Sequence, residues 1–113
     1  MTTAAEIVIE RHAGTVVAQL SGEVDMTNAA YVREEIVESV PNDALALIID
    51  LGGCRYLDSA AIEVIFDLSR RLARRRQELR LVLPSASPLR RVLELTEVAS
   101  VAAVHDSLDS ALA

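Results

Sequence analysis

The residues best placed to carry chemistry lie in one short stretch, where Asp58 and Ser59 come directly before an amphipathic pattern. If Asp58 is the N-cap of a helix, Ser59 is the first helical residue, and Leu57 and Ile62 form the flanking hydrophobic staple. The Ser59 hydroxyl then points outward, beside free backbone N–H groups and the positive end of the helix dipole, which together stabilise an added phosphate. The competing interpretation from the residues alone is that Asp58 and Ser59 only begin a helix, because both types are common there.

Other candidate nucleophiles and ligands lack the partners that such chemistry needs. No Gly-x-Ser-x-Gly turn surrounds Ser59, and no signature links Ser59 or Cys54 to His105 as a general base. One cysteine and two histidines are too few for a zinc site, and no Gly-Lys-Ser/Thr follows the glycine pair at 52–53. We therefore expect no enzymatic activity, no metal and no cofactor. Cys54 is expected to be a small apolar residue, buried or half-buried.

Five arginines stand close together, at Arg70, Arg71, Arg74, Arg75 and Arg76. Such a cluster suggests nucleic acid or anionic lipid as a ligand. The end of a helix is the stronger explanation, because cations there complement the dipole and Asp67 can pair with Arg71. The two tyrosines, Tyr31 and Tyr56, are expected in core or edge packing rather than as a pair that stacks on bases. We expect no direct nucleic-acid binding.

The composition is typical of one acidic globular domain, residues 1–113, with 51% apolar residues and few glycines or prolines. Seventeen acidic and eleven basic side chains give a formal charge of −6, which repels a phosphate backbone on average. The longest apolar run, Ala44 to Ile49, has six residues against the roughly 20 that a membrane-spanning helix needs. The N-terminus has no basic segment before an apolar one, so we expect no secretory signal, no membrane insertion and a cytoplasmic protein.

Hydrophobic periodicity predicts the elements that position Asp58 and Ser59. Strands are predicted at residues 7–9, 15–20, 45–51, 79–83 and 101–104, the first two forming a hairpin in which Gly14 supplies the flexibility of the turn. The run at 45–51 is nearly continuous in apolar residues, as expected of the middle strand of a sheet. Because helical patterns follow every later strand, the order is ββαβαβαβα, and the fold is an α/β fold with a mainly parallel sheet.

The predicted helices have recognisable beginnings and ends. The first contains the repeat Ala29, Val32, Ile36 and Val40, with either Asp25 or Thr27 as its cap and Pro41 after its end. The second, amphipathic helix follows Asp58. A third begins at the Ser87-Pro88 pair, which supplies a cap and a first-turn proline. A last short helix ends near Leu112 and is capped by Asp106 or Ser107.

Three segments of the sequence are similar to the motifs of one known family. Residues 20–25, LSGEVD, are similar to the family's L-x-G-E-L/V-D signature, and Asn28 stands where many members have Asn. Residues 57–62, LDSAAI, are similar to the D-S-x-G-I/L phosphorylation motif. Residues 81–85 and 92–96 are similar to the third strand of the family and the helix after it. Together these segments resemble the STAS domain, the family of anti-sigma factor antagonists of bacterial partner-switching systems, and the resemblance extends from about Glu6 to Leu112.

The resemblance implies that Ser59 is phosphorylated by a partner serine kinase of GHKL type, which is itself the anti-sigma factor. The unphosphorylated protein then binds this kinase and frees the sigma factor. The expected partner-binding residues are Glu23, Asp25, Asn28, Asp58, Ser59, Ala60, Ile62, Glu63 and Phe66. A phosphate adds about −1.5 to −2 charge beside the carboxylates of this surface, so phosphorylation is expected to weaken kinase binding.

The sequence departs from the family pattern at three positions. Ala61 stands where the motif commonly has Gly, and Gly is also replaced near Gln77 and at Glu97. A left-handed conformation at Glu97 would cost roughly 1 kcal/mol relative to Gly, so a different path of that loop is expected. The alternative function is a STAS-type scaffold or accessory subunit of a lipid or anion transporter or signalling complex, without phosphorylation. The identity of the kinase and the oligomeric state are left open by the sequence.

Overall fold

The computed structural model describes residues 5–113, in which a five-stranded sheet is flanked by helices. The strands are β1 (Ala5–His12), β2 (Thr15–Val24), β3 (Ala46–Leu57), β4 (Glu78–Val82) and β5 (Ala103–His105). The helices are α1 (Ala29–Ser39), α2 (Ser59–Arg74), α3 (Leu89–Leu95) and α4 (Leu108–Leu112), with a 3-10 turn at Val98–Ser100. The predicted element order and the α/β class are confirmed.

The strands lie in the order of the chain, with β1 antiparallel to β2 and all other neighbouring pairs parallel. β3 is therefore the central strand, as its apolar sequence predicts. The carboxyl ends of β2 and β3 meet, since Val24 and Leu57 are register partners. Loops and helix N-termini of an open α/β sheet converge at this edge, and Ser59 begins α2 directly beside it.

Alternate side chains of the inner strands enter two apolar clusters on opposite faces of the sheet. On one face Leu47 and Ile49 belong to the large cluster that includes the buried sides of α1, α2 and α3. On the other face Val17 and Ile48 pack with Ala111 of the short helix α4. The sheet is thus covered on both sides at its centre, which explains why the middle of β3 has no alternating polar residues.

The prediction that β3 ends at Leu51 is wrong, because the strand continues through the glycine pair to Leu57. Its register against β2 shifts between Gln19 and Ser21 and again between Gly22 and Glu23. Such irregularities accommodate extra residues in one strand without ending the pairing. A Cβ added at Gly53 would lie 2.9 Å from the Ser21 Cβ, so the close approach of the two strands requires a glycine there.

Left-handed backbone conformations occur where the sequence did not indicate them. In the hairpin turn the residue with positive φ is Ala13, at 56°, and not Gly14, so the predicted role of Gly14 is wrong. Gly14 instead leaves room for Leu45, whose Cδ1 would lie 2.9 Å from an added Cβ. Glu97 has φ 61° and ψ 28° after α3, so the loop keeps the left-handed conformation and the expected different path is wrong. The side chain of Glu97 therefore carries a conformational strain that Gly would not.

The helix caps decide between Asp106 and Ser107 and correct the prediction for α1. Ser107 caps α4, since its hydroxyl accepts a hydrogen bond from the Ser110 N–H, whereas Asp106 pairs with Arg90. Neither Asp25 nor Thr27 caps α1, which begins after Asn28 with no side-chain cap. Within residues 5–113 no helix is long and apolar enough to cross a bilayer.

Candidate functional site

Ser59 is exposed at the first position of α2, as predicted. Its hydroxyl makes no hydrogen bond with any side chain or backbone group of residues 5–113. Asp58 is the N-cap, with an extended backbone and a carboxylate Oδ1 that accepts from the Ala61 N–H at 3.0 Å. The hydroxyl therefore lies at the positive end of a 16-residue helix and is free to meet a second molecule.

Asp58 also joins the start of α2 to the loop after β2. Its second carboxylate oxygen, Oδ2, accepts from the Met26 N–H at 2.9 Å, and its own N–H donates to the Val24 carbonyl at 3.2 Å. Both oxygens are thus used within the chain, across 32 residues of sequence in the case of Met26. Asp58, predicted as a partner-binding residue, has a clear internal role as the connection between the two segments of the site.

The loop between β2 and α1 is held by a compact set of hydrogen bonds. Asp25 Oδ1 accepts from the Thr27 N–H at 2.9 Å and from the Thr27 hydroxyl at 2.5 Å. These bonds favour the charged carboxylate and lower the pKa of Asp25 below its ordinary value of 3.8. Asn28 is only 5% exposed, accepts from the Asp25 N–H and donates to the Glu23 carbonyl. Asn28 therefore shapes the loop and offers little surface to a partner.

The remaining predicted partner-binding residues differ in how far their side chains are exposed to a partner. Glu63 is exposed and Glu23 is half-buried, with Arg55 at 4.0 Å from its carboxylate. Ala60 and Phe66 are half-buried against the core, whereas Ile62 is buried in the apolar cluster as a staple residue should be. The accessible part of the predicted surface is accordingly acidic, with Ser59 among its carboxylates.

Ala61 faces inward. It is 3% exposed and belongs to the large apolar cluster, while its N–H is bound by Asp58. The methyl group that distinguishes it from Gly therefore packs against the protein's own core and adds no obstacle on the surface around Ser59.

Three exposed apolar side chains on the elements that adjoin the start of α2 were not among the predicted site residues. Met26 is 80% exposed on the β2–α1 loop, Tyr31 is 53% exposed in the first turn of α1, and Tyr56 is 50% exposed near the end of β3. The tyrosines were predicted in core or edge packing, and neither of them lies in the core. No periodicity distinguishes such residues from core positions, and only their exposure in the fold reveals them.

The rival constellations have ordinary structural roles. Cys54 is buried, and burial, followed by the nearby charge of Asp50, raises the pKa of its thiol to about 11. His105 Nδ1 lies 3.1 Å from the Ser110 hydroxyl and has no hydrogen bond to Ser59 or Cys54 among residues 5–113. Across the same residues no group of three His, Cys, Asp or Glu side chains is arranged to hold a metal.

The arginine cluster occupies the end of α2 and the turn after it. Asp67 pairs with Arg70 and with Arg33, the latter at 3.9 Å, and not with Arg71 as predicted. Arg70 and Arg33 contact different oxygens of the Asp67 carboxylate, so both oxygens have a cationic neighbour. Arg75 donates to the side chain of Asn42, so this arginine also has a structural partner.

The fold and the site together define a small α/β binding domain with an acidic surface around an exposed serine. The family model described as STAS domain matches residues 6–111, and the chain belongs to this family. The predicted family resemblance is thereby confirmed. STAS anti-sigma factor antagonists are non-enzymatic binding proteins, in agreement with the expectation of no enzymatic activity.

Several relatives carry the names of anti-sigma factor antagonists. The chain is 30% identical over 66 residues to the anti-sigma-F factor antagonist RsfB of Mycobacterium tuberculosis, a match that covers 58% of this chain and about half, 54%, of that relative. The crystal structure of an anti-sigma factor antagonist from Mycobacterium paratuberculosis has a TM-score of 0.84 at 27% identity and covers 96% of this chain and 91% of that one. The anti-sigma factor antagonist SpoIIAA in its unphosphorylated form has a TM-score of 0.77 at 20% identity, covers 95% of this chain and 93% of that one, and shares the fold.

Proposed function

We propose that this protein is an anti-sigma factor antagonist that binds a GHKL-type serine kinase, itself the anti-sigma factor, and is switched off when that kinase phosphorylates Ser59. The observation that carries the proposal is the Ser59 hydroxyl, which is exposed at the start of α2 and unused by the chain. The similarity to proteins named as anti-sigma factor antagonists supports the same partner class. The partner meets the edge formed by the β2–α1 loop and the first turns of α2.

The bulk of a phosphate explains how phosphorylation ends binding, at a surface that otherwise attracts a cationic partner. Asp58 precedes the serine, Glu63 follows it by one helical turn, and Asp25 lies on the loop that Asp58 joins to α2. Asp25 has a lowered pKa, so it is charged at neutral pH. A partner that matches this edge must present positive charge. A phosphate adds about −1.5 to −2 charge and a bulky group at the centre of the contact. The surface of the partner fits closely against the unmodified hydroxyl, and the added phosphate prevents this close contact.

The substitution of Ala61 for the common Gly is compatible with phosphorylation. Its methyl group is buried in the core, so a kinase loop that approaches Ser59 meets the same outer surface as it would with Gly. The N–H of Ala61 is bound by Asp58, so the substitution also leaves the helix cap intact.

The decisive experiment combines binding and modification. Each GHKL-type serine kinase encoded in the source genome is purified and mixed with the protein, with and without ATP, and the product is analysed by intact mass and fragment mapping. We expect one kinase to bind the unmodified protein and to transfer one phosphate to Ser59. Ser59→Ala should remain unmodified, and Ser85→Ala, at an exposed serine on another loop, should behave as wild type.

Affinity distinguishes a switch from a scaffold. Calorimetry should give a clearly weaker dissociation constant for the phosphorylated protein than for the unmodified one, with Ser59→Asp as an incomplete mimic. Equal affinity for all forms would remove the switch. A chain that neither binds nor is phosphorylated by any of these kinases contradicts the proposal and favours the scaffold or accessory-subunit function.

A further inference from the structure

The edge around Ser59 carries an apolar component as well as an acidic one. Met26, Tyr31 and Tyr56 are exposed there on three different elements: the β2–α1 loop, the first turn of α1 and the end of β3. The chain has only three aromatic residues, Tyr31, Tyr56 and Phe66. Both tyrosines are at least half exposed, on elements that meet at this edge, and neither is a core residue.

These side chains are presented by well-held backbone. The Met26 N–H donates to Asp58 Oδ2, and the next residue, Thr27, is bonded to Asp25 through both its N–H and its hydroxyl. Tyr56 lies in β3 as the register partner of Glu23. Binding of a partner would therefore immobilise little additional backbone, and the small loss of conformational entropy favours affinity.

Charge and apolar area together define the kind of partner that fits. Tyr and Met are enriched in the buried centres of protein interfaces, whereas carboxylates are typical of the rim. Asp25 on the β2–α1 loop and Glu63 on α2 favour cationic groups in the partner, whereas Glu23 already has Arg55 at 4.0 Å from its carboxylate. A nucleic acid does not fit, because its phosphates would face these carboxylates.

We propose that Met26, Tyr31 and Tyr56 are the apolar anchors of the kinase-binding surface, and that the partner presents apolar pockets bordered by arginine or lysine. This inference rests on the proposed function and names the residues that supply its affinity. The anchors hold the complex and thus set the dissociation rate, while the carboxylates guide encounter and set the dependence on salt.

The test uses the full chain and the kinase that binds it in the experiment above. Met26→Ala, Tyr31→Ala and Tyr56→Ala are compared with Leu95→Ala, a control that removes an apolar side chain of 69% exposure from the end of α3. We expect Met26→Ala and at least one tyrosine variant to raise the dissociation constant tenfold or more, mainly through faster dissociation and with an unchanged salt dependence. Glu63→Gln should instead slow association and weaken the salt dependence.

Hydroxyl-radical footprinting of the wild-type complex provides a readout without mutation, and the anchors should be protected while Leu95 is not. If all three anchor variants bind the kinase as tightly as Leu95→Ala does, this inference is wrong, while the proposed function still stands. Absence of binding by wild type to every kinase overturns the proposed function, and with it the partner assigned here. Circular dichroism and thermal unfolding of each variant separate lost binding from lost folding.

Discussion

Asp58 provides the sharpest test of how the site is built. Replacing it with Ala removes two acceptor oxygens, one bound to the Ala61 N–H at 3.0 Å and one to the Met26 N–H at 2.9 Å. The first bond caps α2, and the second fixes the β2–α1 loop against the start of that helix. Both donors are backbone groups, so neither can turn to a new partner by side-chain rotation.

The two losses can be assigned separate magnitudes. Removal of an N-cap costs typically about 1 kcal/mol, and a hydrogen bond from a partly exposed N–H to a carboxylate contributes about 1 kcal/mol more. We therefore expect Asp58→Ala to lower the free energy of unfolding by about 2 kcal/mol. With an unfolding entropy of about 2.1 cal/mol/K per residue, this corresponds to a melting temperature lower by about 8 °C.

Urea denaturation followed by circular dichroism measures the effect, and calorimetry measures the melting temperature. Asp58→Asn keeps one acceptor oxygen and a good N-cap, so it should lose only about half as much. Asp43→Ala, at an exposed carboxylate with no hydrogen-bonded partner among residues 5–113, controls for the change in net charge. A loss below about 0.5 kcal/mol in Asp58→Ala, the range of ordinary surface substitutions, would refute the bridging role.

Three further predictions follow from the backbone and the titrating groups. Glu97→Gly should stabilise the protein by about 0.5 to 1 kcal/mol in urea denaturation, because Glu97 has φ 61°, whereas Glu94→Gly, inside α3, should destabilise it. Cys54 should react with a thiol reagent at pH 8 only on unfolding, since burial raises its pKa to about 11; rapid reaction of the native protein would contradict this. Thr27→Val should raise the pKa of Asp25 towards 3.8 in an NMR titration. Because the folded pKa is the lower one, the stability that Asp25 contributes is present above pH 3.8 and is lost as pH falls through the lowered value, and Thr27→Val should reduce this loss.

The sequence predicts the central framework because its signals there are strong and local. The apolar run at 45–51 identifies the middle strand, and the Asp58 cap with the Leu57–Ile62 staple identifies the start of α2. Each of these signals depends on residues within one or two turns of one another. A local pattern of this kind does not depend on distant parts of the chain, so the element that it predicts is the element that the fold contains.

Features set by neighbouring strands were not predictable from local sequence. The glycine pair at 52–53 is a typical end of a strand, yet β3 continues because β2 supplies partners as far as Val24. Likewise, three residues with capping side chains precede α1 within four positions. Asp25 binds Thr27 and Asn28 binds back to Glu23, so α1 begins without a side-chain cap. Competing hydrogen bonds within the loop therefore engage these side chains, which local propensity alone treats as equal capping candidates.

At the candidate site, too, one hydrogen bond, between the Met26 N–H and Asp58, could not be predicted from local sequence. Ser59 is identified by its place at a helix start, but the position of Met26 depends on a bond to Asp58 across 32 residues. Because that bond holds the backbone of Met26, whose side chain is exposed, we expect Asp58 to affect partner binding through the loop as well as through its charge. Asp58→Asn and Met26→Ala should therefore be non-additive in kinase affinity, since both disturb the same presented residue. Additive losses would mean that Asp58 and Met26 meet the partner independently.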